Sequence, residues 1–161
     1  MSVILRMLFA LALCLGLSDP SAAGDGKAIV LTVEGNIEGE RQTFTIADLE
    51  AMGTEQVTTT TPWHDGAVTF EGVAVARLLE HVKAKGETAE VTALNAYFVD
   101  IPTEDLIRNG AVLALKRDGN YMAVTDKGPL FLIYPFDANP ALRTELHYSR
   151  SVWQVSSIAI R

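Results

Sequence analysis

The sequence has almost no cysteine and few basic residues. Its single cysteine is Cys14, which excludes an intramolecular disulfide framework and a cysteine-based zinc site. Lys and Arg number 13 against 20 Asp and Glu, a formal net charge of −7. A nucleic-acid-binding protein needs a basic footprint to neutralise phosphates, so we expect no nucleic-acid partner.

Familiar catalytic and metal-binding patterns are also missing. The sequence contains no G-x-S-x-G element, which would mark a nucleophilic serine. His64, His81 and His147 are far apart and form neither an H-x-x-x-H nor an H-E-x-x-H pair. A site built from all three histidines stays open, but the pattern favours partly exposed histidines without a metal.

The hydrophobic run near the N-terminus is short. It extends from Met7 to Leu17, follows Arg6, and precedes small residues at Ser21 and Ala23. This layout is typical of a secretory signal peptide over residues 1–23, followed by one domain over residues 24–161. A retained membrane anchor is the alternative, although a span needs about 20 apolar residues. We therefore expect a periplasmic protein, with no direct membrane insertion after cleavage.

Cleavage would also remove the only thiol, Cys14. The remaining residues are typical of a folded domain, since 48% of the chain is hydrophobic and 20% charged. Its apolar patterns predict a sheet-rich α+β domain with three short peripheral helices. The helices are predicted near residues 45–52, 75–82 (closed by Gly86) and 102–107. Strands are predicted over residues 28–34, 43–46, 58–61, 68–70, 91–96, 97–101, 111–117, 121–124, 130–134 and 151–160.

Four segments combine aromatic and polar residues outside the regular patterns. They cover residues 61–66, 95–100, 126–137 and 147–153. Aromatic side chains stack on flat rings, while Arg, Lys and Asp bind polar ring edges or anions. The candidate ligand-binding residues are Trp63, His64, Asp65, Tyr97, Asp100, Lys127, Tyr148, Arg150 and Trp153.

Each candidate also has a purely structural interpretation. Trp63 could cap the edge of the core above a turn at Asp65-Gly66, and Lys127 could be a solvated residue of a turn. Arg150 could stack on Trp153 for stability, and Asp100 could lie on the solvent side of an edge strand. The residues alone leave these alternatives open.

Several motifs occur together in a fixed order. They are W-x-x-G-x-V-x-F-x-G-V-x-V-x-x-L-L from Trp63, L-A-x-x-x-D-G from Leu113, K-G-P-L-x-L-I-Y-P from Lys127 and Y-S-R-S-V-W-Q-V from Tyr148. In this order and spacing, the sequence resembles the small exported proteins with the sulfite-oxidase molybdopterin-binding fold. The resemblance covers nearly all of residues 24–161. It implies a mixed α+β fold in which loops form a cleft for a pterin-type cofactor.

The catalytic members of that family bind molybdenum through a cysteine thiolate. Here residues 56–62, where that ligand would be sought, contain no cysteine. The resemblance therefore implies a non-catalytic, periplasmic pterin-binding protein that acts as the ligand-binding component of a membrane-bound signalling partner. The alternative is a molybdopterin-dependent oxidoreductase with a metal ligand other than cysteine.

We expect a bound pterin, free or molybdopterin-like, and no molybdenum centre. Trp63, Tyr148 and Trp153 would stack on its ring. Asp65, with Asp100 behind it, would accept hydrogen bonds from the amide–amine edge. Lys127 and Arg150 would meet the carbonyl or a phosphate, and a Trp63→Ala variant is expected to lose the ligand without unfolding.

Overall fold

Ten strands in two sheets and four short α-helices form residues 28–161, the part of the chain that the computed structural model describes. The expected signal peptide, residues 1–23, lies outside the described residues. This architecture confirms an α+β fold. The elements are β1 (Ile29–Gly35), β2 (Arg41–Thr45), α1 (Ile46–Ala51), β3 (Glu55–Thr61), β4 (His64–Ala74), α2 (Val75–His81), β5 (Thr88–Ala93), β6 (Phe98–Pro102), α3 (Thr103–Arg108), β7 (Val112–Arg117), β8 (Asn120–Tyr121), β9 (Phe131–Ile133), α4 (Glu145–Arg150) and β10 (Val155–Ile160).

The first sheet joins the two ends of the described chain. Its strand order is β2-β1-β10-β5-β6. β1 and β10 run parallel, with Val33 opposite Ile158, and the other neighbours are antiparallel. Leu31 and Val33 are fully buried while the residues between and beside them are not, as expected for a strand with one face on the core.

The second sheet has the order β3-β4-β7-β8, and β9 pairs with the same edge of β7 as β8. Gly72 lets β4 approach β7, because a Cβ atom there would lie 2.1 Å from the carbonyl oxygen of Leu113. Asp118 and Gly119 both adopt left-handed backbone angles and form the tight turn between β7 and β8. Its return strand, β8, is only two residues long.

The first two helices follow the sequence signals closely. Thr45 and Asp48 form a capping box at the start of α1. The predicted apolar face of α2 is buried at Val75, Leu78, Leu79 and Val82. The prediction that Gly86 closes α2 is wrong. The helix ends at His81, and Gly86 instead lies against the last residue, where a Cβ atom would be 2.2 Å from Arg161 O.

Two further predictions about secondary structure, for residues 151–160 and 61–66, are wrong. Residues 151–160 are not one strand: β10 begins only at Val155, and a fourth helix, α4, precedes it. Likewise, residues 61–66 are not a loop, because the β3–β4 turn consists of Pro62 and Trp63 alone. Thr144 caps α4 by accepting a hydrogen bond from the backbone N–H of His147. A threonine at this position is the sequence feature that indicates the start of this helix.

A single cluster of buried apolar side chains draws on both sheets. Its largest fully buried members are Tyr134, Phe70, Phe131 and Phe136, three of them in or just after β9. Val152, Ile158 and Ile160 also belong to this cluster. Among residues 28–161, no helix is both long and apolar enough to span a membrane.

Candidate functional site

A groove of about 260 Å³ opens where turns from both sheets meet α4. Trp63 comes from the β3–β4 turn, Tyr97 from the β5–β6 turn and Tyr148 from α4. Its volume lies just below the usual range for drug-sized ligands, so it suits a small ring system. The lining residues are Trp63, Ala93, Asn95, Tyr97, Tyr148, Ser149, Ser151, Val152, Trp153 and Gln154.

Trp63 connects this groove to the core. Its ring makes edge-to-face contacts with Phe131 at 5.7 Å and Phe136 at 6.5 Å between ring centroids. Tyr148 and Trp153 each contact the same indole at 5.9 Å. Because half-buried Trp63 packs against the core, its removal is expected to destabilise the fold. This packing agrees with the structural interpretation in which Trp63 caps the edge of the core, and its role in ligand binding stays a prediction.

Trp153 presents the most accessible indole of the groove, with 42% of its surface exposed. The Lys127 ammonium lies 4.8 Å from the centroid of this ring, a cation–π contact. Lys127 also accepts a hydrogen bond at its carbonyl oxygen from Gln154 N, at 3.0 Å. Lys127 thus supports the groove from beside Trp153 and is not among its lining residues.

Tyr97 ties the β5–β6 turn to α4. Its hydroxyl donates a hydrogen bond of 2.9 Å to the carbonyl oxygen of Ser149. Its backbone N–H donates to Asn95 Oδ1 at 3.0 Å. Two walls of the groove, which are 52 residues apart in sequence, are therefore held together by one side chain.

His64 and Asp65 follow Trp63 in sequence but do not line the groove. Asp65 is exposed. The His64 ring lies 2.9 Å from Thr61 Oγ1 through Nδ1 and 3.3 Å from Arg117 Nη1 through Nε2. Burial, followed by the positive charges of Lys127 and Arg117, lowers the pKa of His64 below its ordinary value.

Asp100 and Arg150 also point elsewhere. Asp100 is exposed on β6 and lies 3.7 Å from Arg161 Nη1, as its solvent-side interpretation anticipates. Arg150 does not line the groove, and the cation over the Trp153 ring is Lys127. The Arg150 guanidinium lies 3.2 Å from a carboxylate oxygen of Asp105.

The groove therefore brings together four of the nine candidates, and its lining contains no Asp, Glu, Lys, Arg or His. Its polar groups come from Asn95, Ser149, Ser151 and Gln154, which the sequence analysis did not name as site residues. The sequence feature that could have identified them is their position next to or near Tyr97, Tyr148 and Trp153 in the chain. Of the charged candidates, Arg150 pairs with Asp105 and Asp100 lies near Arg161, both outside the groove lining.

No protein-family model matches the sequence, and no curated protein matches it significantly. The resemblance to the sulfite-oxidase-type proteins therefore depends on its motifs alone and enters below only as a proposal.

The donor atoms of the groove can be compared with the needs of a metal centre. Within residues 28–161, no three His, Cys, Asp or Glu side chains are grouped so that they could hold a metal ion. The lining offers amides, hydroxyls and aromatic rings but no thiolate, the soft ligand on which family-type molybdenum ligation depends. These residues do not fit a protein-ligated molybdenum centre.

Proposed function

We propose that this protein is a non-catalytic, periplasmic pterin-binding protein of the sulfite-oxidase-like molybdopterin-domain type, and that the groove around Trp63 binds a free pterin. The observation that carries the proposal is the lining itself. Four aromatic side chains and four amide or hydroxyl side chains surround a small groove without a charged group. This combination suits a flat, neutral ring with hydrogen-bonding edges.

Stacking is the first contribution to binding. Trp153 and Tyr97 expose 42% and 44% of their surfaces at the groove, so their rings are available to a ligand. Trp63 is more enclosed and acts as the floor beneath them. Stacking between aromatic rings adds about 0.5–1.5 kcal/mol beyond the area that it buries.

Gln154 is the best acceptor for the amide–amine edge of the pterin. Its Nε2 atom donates a 2.7 Å hydrogen bond to the carbonyl oxygen of Val124, which fixes the orientation of the side-chain amide. The Oε1 atom is then the free acceptor of the amide. Gln154 thus takes the role that the sequence analysis gave to Asp65.

The uncharged lining favours a pterin without a phosphate. A phosphate buried in the groove would be desolvated without a cation among the lining residues. Lys127 lies over Trp153, and Arg150 is paired with Asp105. We therefore infer a free pterin as the ligand in preference to a molybdopterin-like one, which carries a phosphate.

The same lining supports the binding role over the oxidoreductase alternative. It supplies no thiolate for molybdenum and no carboxylate or imidazole for proton transfer. The membrane-bound signalling partner is supported by the family resemblance only.

A fluorescence titration of the purified protein with pterin tests the proposal. We expect wild-type binding with a Kd of about 1 μM, or about 8 kcal/mol. Trp153→Ala should weaken binding at least tenfold, because it removes the more exposed of the two indole rings in the groove. Tyr121→Ala, which removes an aromatic side chain 57% exposed and outside the groove lining, is the control and should bind as wild type does.

Two results would contradict the proposal: no binding by the wild type up to millimolar pterin, or equal affinity in the wild type and Trp153→Ala. Tighter binding of a phosphorylated pterin alcohol than of pterin would contradict the inferred preference. Stoichiometric molybdenum in protein purified from molybdenum-replete cells would support the oxidoreductase instead.

A further inference from the structure

A polar cluster, formed by Asp105, Tyr134, His147 and Arg150, connects α3, α4 and the segment that follows β9. Asp105 on α3 has a side chain only 17% exposed, and its two oxygens are approached from three elements. The Tyr134 hydroxyl donates to Asp105 Oδ2 at 2.9 Å, and Asn109 Nδ2 donates to Oδ1 at 2.9 Å. From α4, Arg150 Nη1 lies 3.2 Å from Oδ2 and His147 Nε2 lies 3.4 Å from Oδ1.

The helix that carries His147 and Arg150 also forms one wall of the groove. Residues 147 and 150 are three positions apart and face Asp105 together. Tyr148 and Ser149 lie between them and line the groove. The Ser149 carbonyl oxygen accepts a hydrogen bond from the Tyr97 hydroxyl. With six residues, α4 is too short to hold its position by its own hydrogen bonds.

The groups around Asp105 favour a carboxylate at this position. The Tyr134 hydroxyl, the Asn109 amide and the Arg150 guanidinium are donors that approach its two oxygens, and a charged carboxylate accepts at both. Arg150 and His147 have side chains 13% exposed, and the buried Arg150 Nε and His147 Nε2 atoms have no hydrogen-bond partner among the described residues. Burial raises the pKa of Tyr134, so its hydroxyl remains a donor.

We propose that Asp105 is the positioning residue of the groove: its carboxylate fixes α4 against α3 and Tyr134, and thereby places Tyr148 and Ser149 for the ligand. This inference deepens the proposed function and depends on it for the ligand-affinity readout alone. Loss of the carboxylate leaves a cation buried without its counter-ion, and such a cation is strongly destabilising.

Asp105→Asn is the informative variant because it keeps the shape of the side chain. The substitution removes the negative charge that pairs with Arg150 and replaces one accepting oxygen with an NH₂ group. Glu104→Gln is the matched control, since Glu104 is the neighbouring acidic residue, has a side chain 74% exposed and pairs only with Arg108 on the same helix.

Hydrogen exchange measures the effect without any ligand. In Asp105→Asn we expect amide exchange in residues 145–150 to accelerate at least tenfold, while exchange in β5 and β10 stays unchanged. Pterin affinity should fall at least tenfold at a temperature where the variant is folded. Glu104→Gln should change neither quantity.

A rescue experiment separates positioning from a general loss of stability. Combining Asp105→Asn with Arg150→Gln removes the stranded cation, so protection of α4 should partly return. If Asp105→Asn does not fold, Tyr134→Phe, which removes one donor only, should still accelerate exchange in α4 selectively. Unchanged exchange in α4, or an equal increase throughout the protein without rescue, would overturn the proposal. Failure of the wild type to bind pterin would refute the proposed function and leave the exchange result to decide on Asp105.

Discussion

Trp63 belongs to the core and to the groove at once. Its indole contacts Phe131 and Phe136 on one side and Tyr148 and Trp153 on the other. A side chain with both sets of contacts transmits any core rearrangement directly to the groove wall. Its removal therefore has two effects, on stability and on binding, that a single binding assay would confuse.

Trp63→Ala should lower the free energy of unfolding by about 2–4 kcal/mol, because it leaves a cavity lined by aromatic side chains. Trp153→Ala should cost less than about 1.5 kcal/mol, since its ring is 42% exposed. Urea unfolding of both variants measures the difference. Equal costs would show that Trp63 is not part of the core.

His64 is held in a state that disfavours its protonation. Arg117 Nη1 is a donor, so the 3.3 Å contact with His64 Nε2 requires that nitrogen to be an acceptor. The proton of the neutral ring then lies on Nδ1, which faces Thr61 Oγ1. Protonation at Nε2 would replace this hydrogen bond with a contact between two cations.

The lowered pKa of His64 predicts a loss of stability in acid. Its pKa in the unfolded chain is about 6.5, and its folded-state pKa is lower, so the unfolded state takes up the proton first. The stabilisation is complete above pH 6.5 and is lost as the pH falls toward the folded pKa. Melting temperatures measured across this window should fall less in His64→Gln than in the wild type.

His81→Gln, which changes an exposed histidine, is the control and should follow the wild-type profile. A His64→Gln profile parallel to the wild type would show that the Arg117 contact has no effect on the titration.

Lys116 connects three strands of the second sheet with α1. Its ammonium on β7 lies 2.9 Å from Glu50 of α1 and 3.1 Å from Glu71 of β4. Tyr121 of β8 donates a 2.7 Å hydrogen bond to the same Glu50 oxygen. Hydrogen bonds from Lys116 are the main reason why the pKa values of both glutamates lie below their ordinary value.

Lys116→Met should therefore destabilise the protein in a pH-dependent way. The lowered pKa values mean that the ion pairs stabilise the fold above pH 4.5, the ordinary value, and lose this effect as the pH falls. The stability difference between wild type and variant should be largest near pH 7 and narrow below pH 4.5. Urea unfolding at several pH values tests this.

Lys83→Met is the matched control, because Lys83 pairs with Glu38 while its side chain is 63% exposed and should contribute little. A constant difference between wild type and Lys116→Met at all pH values would contradict the account of the cluster.

Local signals predicted most elements but not those that form the site. The capping pattern at Thr45 and the apolar spacing of α2 are encoded in neighbouring residues, and both helices were found. α4 was missed because its only apolar residues are Leu146 and Tyr148, too few to show a helical period. The strand predicted over residues 151–160 begins at Ser151, the C-cap of α4, four residues before β10 begins at Val155.

The site itself depends on distant parts of the chain, and the sequence predicted only its aromatic half. Trp63, Tyr97, Tyr148 and Trp153 do converge, from both sheets and α4. The charged candidates do not, because adjacent residues point in different directions. On α4, Tyr148 faces the groove while Arg150 faces Asp105. The direction of each side chain depends on the helix and its packing, and the sequence patterns did not predict α4.

The central claim is that this uncharged aromatic groove, and no other part of the described chain, holds the pterin. The chain has two tryptophans, Trp63 and Trp153, and both line the groove. An NMR titration of ¹⁵N-labelled protein with pterin therefore observes the site through its two indole N–H signals. We predict that both signals shift and saturate together at one pterin per chain, along with the backbone signals of Tyr97 and Ser149. Saturable shifts confined to other residues, or unchanged indole signals at millimolar pterin, would contradict the account.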